Sequence, residues 1–127
     1  MKYLLDTHAI IWYFEDSAEL SQTAAELIDD PENSIYICSV SLWEIAIKIS
    51  LGKLKMSMPF DELLALIKTR DFNIMQIEYE YLSNLSELPY IHKDPFDRMI
   101  VSSALAARMP VITADTNIRK YNAPCIW

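Results

Sequence analysis

The chain has 127 residues, a length suited to one domain, and its 52% hydrophobic and 23% charged residues exclude a disordered chain. The net charge is −7, and no basic stretch is long enough to track a phosphate backbone. A nucleic acid would need a metal ion or a local patch to overcome that repulsion, whereas a basic protein partner suits an acidic surface directly.

In chain order, Lys2–Leu5 reads as a short buried strand. Residues 7–15 read as a helix with Ile10, Ile11 and Phe14 on one side. A second helix over 18–29 has Ser17 or Ser21 as its cap, and Pro31 and Asn33 break it. The run SIYIC, Ser34–Cys38, is the next strand. Residues 39–53 follow as a helix capped by Ser39 or Ser41 and ended by Gly52, the only glycine of the chain. An amphipathic helix covers 59–70, a strand 73–77, a short helix 78–85 and a long helix 95–109. The runs PVIT at 110–113 and PCIW at 124–127 close the series as two more strands. Strands and helices therefore alternate, and the strands are apolar on both faces. That pattern predicts an α/β fold, a central parallel sheet of about five short strands between helical layers. One domain over 1–127 is the expected organisation.

Cys38 and Cys125 match no zinc spacing and read as buried thiols. One Lys and a few apolar residues before Asp6 do not resemble a signal peptide, and no apolar run is long enough to span a bilayer. A cytoplasmic protein without membrane contact is the expectation.

Ligands of open α/β sheets bind outside the carboxyl ends of the strands. Asp6 follows the first strand and Asp115 the fourth; each could equally cap the next helix. Glu44 lies inside SVSLWEIAIKIS, where Ser41, Glu44 and Lys48 form a narrow polar arc. An exposed Glu44–Lys48 pair would be worth only about a few tenths of a kcal/mol. In HKDPFDRMI, Asp94 reads as an N-cap, Pro95 as N1 and Asp97 as N3, all favoured by the helix dipole. Were Asp6, Glu44, Asp97 and Asp115 to converge, their repulsion would call for a cation. Oxygen-only ligands suit Mg²⁺ or Mn²⁺, and such an ion supports phosphodiester hydrolysis.

At these residues the chain resembles a PIN-domain ribonuclease, the VapC-type toxin of bacterial toxin–antitoxin pairs. The resemblance runs nearly end to end, through LLDTH, SLWEI, HKDPFDRMIVSSALA, VITADTNIRKY and the final IW. It implies an α/β/α sandwich and metal-dependent cutting of RNA. It places the family's acidic quartet on Asp6, Glu44, Asp97 and Asp115, with Asp94 as an accessory acid or simply a cap. Thr113 and Asn117 match polar positions that support the last acid. Thr7 would hold Asp6 or offer its backbone N–H to phosphate, and Arg98 would steady an acid or contact phosphate, although a solvated arginine is the commoner case. His8 and His92 have no partner at metal spacing and read as structural or surface groups. Trp12, Tyr13, Phe14 and Trp43 could stack on bases, but are more often core or dimer interface. The resemblance further implies a homodimer and a small antitoxin whose C-terminal segment crosses the toxin groove.

Two other folds of similar length are disfavoured. A response-regulator receiver needs paired acids after the first strand and a Lys after the fifth, and a haloacid-dehalogenase-type phosphatase needs Asp-x-Asp where this chain has Asp6-Thr7-His8. A PIN-fold protein that no longer cuts, and serves as a binding or regulatory module, is the alternative of another class.

Overall fold

Alternate side chains of a strand point to opposite faces of a sheet, and here both faces are covered. The computed structural model describes residues 1–127. Its elements are β1 Lys2–Leu5, α1 Thr7–Phe14, α2 Gln22–Asp29, β2 Ser34–Cys38, α3 Ser39–Ser50, α4 Phe60–Thr69, β3 Asn73–Met75, α5 Tyr79–Glu87, α6 Pro95–Ala107, β4 Val111–Ile112 and β5 Cys125–Ile126. A single 3-10 turn, Ile118–Lys120, precedes β5. The strands form one parallel sheet in the order β3-β2-β1-β4-β5.

The two faces carry separate cores. Leu4, Cys38, Met75 and Val111 point to the side of α5 and α6, where Met99, Ile100, Val101 and Ala104 meet them. Tyr3, Leu5, Ile35, Ile37 and Ile112 point the other way, against Ile10 of α1, Ile28 of α2, Ile45 of α3 and Leu63 and Ile67 of α4. This is the three-layer α/β/α arrangement, and the expected five-stranded parallel sheet is present. No helix is long and apolar enough to cross a membrane.

Several boundaries differ from the sequence expectation for local reasons. Asp16 takes a left-handed conformation (φ 52°), and α2 starts only at Gln22. Ser21 is its cap, accepting the Ala24 N–H at 3.0 Å, while Ser17 accepts the Glu19 N–H in the preceding turn. Helix α3 ends at Ser50 because the Lys53 N–H returns to the Lys48 carbonyl at 2.9 Å around Gly52 (φ +69°). No Ser caps α3: Cys38 occupies that position and makes no side-chain cap bond. Strand β3 ends at Met75, two residues early. Cys125 is half-buried rather than buried.

Candidate active site

The chain leaves β1 on one side to form β2 and β3, then returns to the other side for β4 and β5. The β1–β4 junction is thus a switch point, where α/β sheets open a crevice at their carboxyl ends. Asp6 is the first residue beyond β1, and its N–H donates to the Ile112 carbonyl at 3.2 Å. Asp6 is only 2% exposed. Oδ1 accepts the Ala9 N–H at 2.8 Å, the N-cap bond of α1, and Oδ2 accepts the Thr113 hydroxyl. Burial raises the Asp6 carboxyl above its usual range, the Asp115 charge adds to this, and the Thr113 and Ala9 bonds oppose it.

Thr113 is fully buried beyond β4, and its Oγ1 also accepts the Asp115 N–H at 2.9 Å. One hydroxyl therefore ties Asp6 to the loop carrying Asp115. That carboxylate's Oδ1 accepts the Asn117 N–H at 2.7 Å and the Ile118 N–H at 3.0 Å, which starts the 3-10 turn. Asn117 thus meets Asp115 through its backbone, while its side chain faces Lys120 at 3.4 Å.

Glu44 is 3% exposed, so its link to Lys48 is no surface pair. Its Oε1 accepts the Thr7 hydroxyl at 2.7 Å, and its Oε2 accepts the Lys48 ammonium at 2.6 Å. Thr7 holds Glu44 and not Asp6; its Oγ1 also lies 3.1 Å from the Ser41 hydroxyl. The bond to Glu44 raises the Lys48 ammonium, burial opposes it, and the charges of Asp94 and Asp97 add to it. Lys48 is therefore a counter-ion to several acids at once.

At the start of α6, Asp94 Oδ1 accepts the Phe96 and Asp97 N–H groups at 2.9 and 3.0 Å, with Pro95 at N1. Asp97 is pushed up to about 6, first by burial, then by the charge of Asp94, with Asp115 and Glu44 adding and the His92 bond opposing. His92 Nε2 stands 3.3 Å from Asp97 Oδ2, and its Nδ1 stands 2.8 Å from the Tyr121 hydroxyl. Arg98 forms no salt bridge with any acid. It donates to the Pro89 carbonyl at 2.9 Å and the Tyr121 hydroxyl at 3.1 Å, and covers the Tyr90 ring.

The fold thus places Asp115 within electrostatic reach of both Asp6 and Asp97, and Glu44 within reach of Asp97. It does not place any three of the chain's Asp, Glu, His or Cys side chains close enough together to hold a metal ion. Asp6 is turned to Thr113 and Ala9, and Glu44 to Thr7 and Lys48. The donor chemistry of the four acids nevertheless fits a hard divalent cation, because carboxylate oxygens suit such an ion. Two residues take more specific places than the sequence reading assigned them. Lys48, expected as the exposed partner of Glu44, pairs with it at i, i+4 where Glu44 is buried. His92, expected as a structural or surface group, stands between Asp97 and Tyr121, and no sequence pattern pairs it with Tyr121.

Among the aromatic residues, Tyr13 and Phe14 pack on Phe72 inside the fold, and Trp12 lies between His8 and Trp127. Trp43 is 60% exposed, with one edge contact to Phe96. His8 is exposed and bonds no acid.

The chain is similar in fold to VapBC2 from Rickettsia felis, solved bound to a DNA fragment from its promoter, with a TM-score of 0.75, 19% identity, and coverage of 99% of this chain and 98% of that one. FitAcB from Neisseria gonorrhoeae aligns with a TM-score of 0.70 and 15% identity over 98% and 96% of the two chains. A toxin–antitoxin complex from Klebsiella pneumoniae aligns with a TM-score of 0.66 and 20% identity, over 98% and 96%. No curated protein matches the sequence. The PIN domain family model matches residues 3–124, and with the crevice and sheet order just described this chain belongs to the PIN domain family.

Proposed function

We propose that this protein is a metal-dependent endoribonuclease and the toxin of a toxin–antitoxin pair. The observation that carries the reading is the carboxyl end of the β1–β4 switch, where the Asp115 charge acts on both Asp6 and Asp97 and Glu44 acts on Asp97. These four would hold Mg²⁺ or Mn²⁺ only after turning from their present partners toward one another, and the ion would then supply Lewis-acid activation of water and neutralise phosphate charge. The chain's own residues keep the acids in place. Thr113 and the Ala9 amide stabilise the ionised form of Asp6 against its burial. Thr7 holds Glu44, the helix cap Asp94 fixes the first turn under Asp97, and the Asn117 amide holds Asp115. In the hydrolysis, water oxygen bonds to phosphorus and the bond to one nucleotide oxygen breaks. That oxygen takes one of the water's protons, and the other leaves to solvent.

Structural neighbours solved as toxin–antitoxin complexes support an antitoxin partner. A cleft of about 560 Å³ lined by Phe14, Leu20 and Leu66 together with Asp16, Asp29 and Arg70 offers room for a segment of it with mixed polarity. Exposed Trp43 suits a homodimer face, and the cytoplasm is the proposed location.

The second reading, a PIN-fold module that binds without cutting, is favoured by Lys48 seated on Glu44. The test is cleavage of a mixed cellular RNA pool with Mn²⁺, with Mg²⁺ and with chelator, beside Asp6→Asn. Cutting that needs the ion and vanishes in the variant upholds the nuclease. Equal cutting by both proteins refutes the acid assignment, and no cutting of any RNA class by the wild type refutes the nuclease in favour of the module.

A further inference from the structure

His92 belongs to neither the quartet nor its expected supports, yet it is the one side chain that joins an acid of the crevice to the buried Tyr121. The hydrogen positions follow from counting donors and acceptors. The Tyr121 oxygen accepts the Arg98 guanidinium at 3.1 Å and the His92 backbone N–H at 3.4 Å. A phenol has one hydrogen to donate and two lone pairs to offer. Both lone pairs are taken, so the hydroxyl must donate, and the acceptor in reach is His92 Nδ1 at 2.8 Å. A neutral imidazole that accepts at Nδ1 carries its hydrogen on Nε2. That nitrogen faces Asp97 Oδ2 at 3.3 Å.

We infer that Arg98, Tyr121 and His92 form a directional relay whose purpose is to hold Asp97 in place, with His92 as a positioning residue for the nuclease site proposed above. Arg98 is anchored at the far end by the Pro89 and Leu88 carbonyls at 2.9 and 3.4 Å and by the Tyr90 ring. Tyr121 is 5% exposed and packs in the core of the α6 face. The relay therefore ends on rigid structure, and it fixes which imidazole nitrogen points at the acid. It engages only Oδ2 of Asp97 and leaves Oδ1 without a protein donor. One carboxylate oxygen is held while the other stays open to a ligand. Groups that orient a metal-site ligand from outside are commonly worth about 10–100-fold in metal affinity or activity. The inference rests on the nuclease reading for its purpose, but the tautomer stands on geometry alone.

Two measurements on the full chain decide it. Nitrogen NMR of labelled protein at pH 8 reads the His92 tautomer directly. The relay requires hydrogen on Nε2 in the wild type and a tautomer mixture in Tyr121→Phe; hydrogen on Nδ1 in the wild type overturns it. The second measurement is Mg²⁺ titration, with RNA cutting assayed in parallel. Tyr121→Phe and His92→Ala should weaken Mg²⁺ binding about tenfold or more, at an unfolding midpoint that shows both variants folded. His92→Gln, whose amide can still donate to Asp97, should recover most of the loss. Wild type that binds and cuts while the variants match it overturns the relay alone. Wild type that neither binds nor cuts overturns the nuclease reading, and the positioning role with it.

Discussion

Replacing Lys48 by Met tests whether the crevice carries its own counter-ion. The change keeps a long flexible chain over α3 and removes the ammonium that lies 2.6 Å from Glu44. The Lys48 side chain is 38% exposed and that of Glu44 only 4%. Breaking a fully buried pair costs about 3–5 kcal/mol, whereas an exposed one is worth about 0–1. The pair lies between these limits, and Thr7 still donates to Glu44, so the loss should be about 2 kcal/mol. For a chain of this size that lowers the unfolding midpoint by roughly 6–10 °C. The assay is thermal unfolding in chelator and in Mn²⁺. In chelator the variant should melt below the wild type by that margin. A bound divalent ion replaces the missing charge, and an ion at ~100 times its Kd adds about 2.7 kcal/mol to the folded state. The variant gives up no ammonium to admit the ion, so the gap should close in Mn²⁺. Equal midpoints in chelator, or a gap unchanged by Mn²⁺, would sink the counter-ion argument.

Further outcomes follow from the same geometry. The Asp97 carboxyl moves from 3.8 to about 6 on folding, so the folded chain binds the extra proton between those values. Stability in chelator should therefore fall as pH rises through that window. Comparing midpoints at pH 4 to 7, Asp97→Asn should flatten this slope; parallel curves for the two proteins would contradict the assignment. Thr113→Val removes the donor to Asp6 and the acceptor for the Asp115 N–H. It should cost about 1–3 kcal/mol in urea unfolding, most of it recovered in Thr113→Ser. Leu5 is fully buried in the core shared by β1 and α1. Leu5→Ala should cost about 2–5 kcal/mol by the same measurement, and a loss below 1 kcal/mol would count against the tight packing of that face.

Much of the fold was legible because its strands are apolar on both faces. SIYIC has no polar side to show to water, and only a sheet covered twice can absorb it. Capping was legible where one residue suffices, as in Asp94-Pro95, and ambiguous where two serines stood four apart. Ser17 lost to Ser21 because Asp16 turns the chain before Ser17 can start a helix. The candidate acids were legible through their places at strand ends and in the first turn of α6. Their partners were less so. Thr7 was expected to serve its neighbour Asp6 and serves Glu44, which is 37 residues away. Arg98 was read as a group for an acid or a phosphate, or more commonly a solvated one, and instead holds two carbonyls and a phenol. Such choices depend on how α1, α3 and α6 lie against the sheet, and no local periodicity encodes them.

The Thr113 hydroxyl that binds Asp6 closes a loop of 107 residues. Contacts so distant in sequence form late, because the entropy of closing the loop must be met before the contact returns anything. During synthesis, Asp6 leaves the ribosome with only its local cap bond to Ala9 in reach until β4 has also emerged and paired with β1. A growing chain can therefore build most of its sheet and remain inert. The crevice becomes whole only at the last stage of folding, so a toxic activity housed there would stay silent in every truncated product that lacks β4.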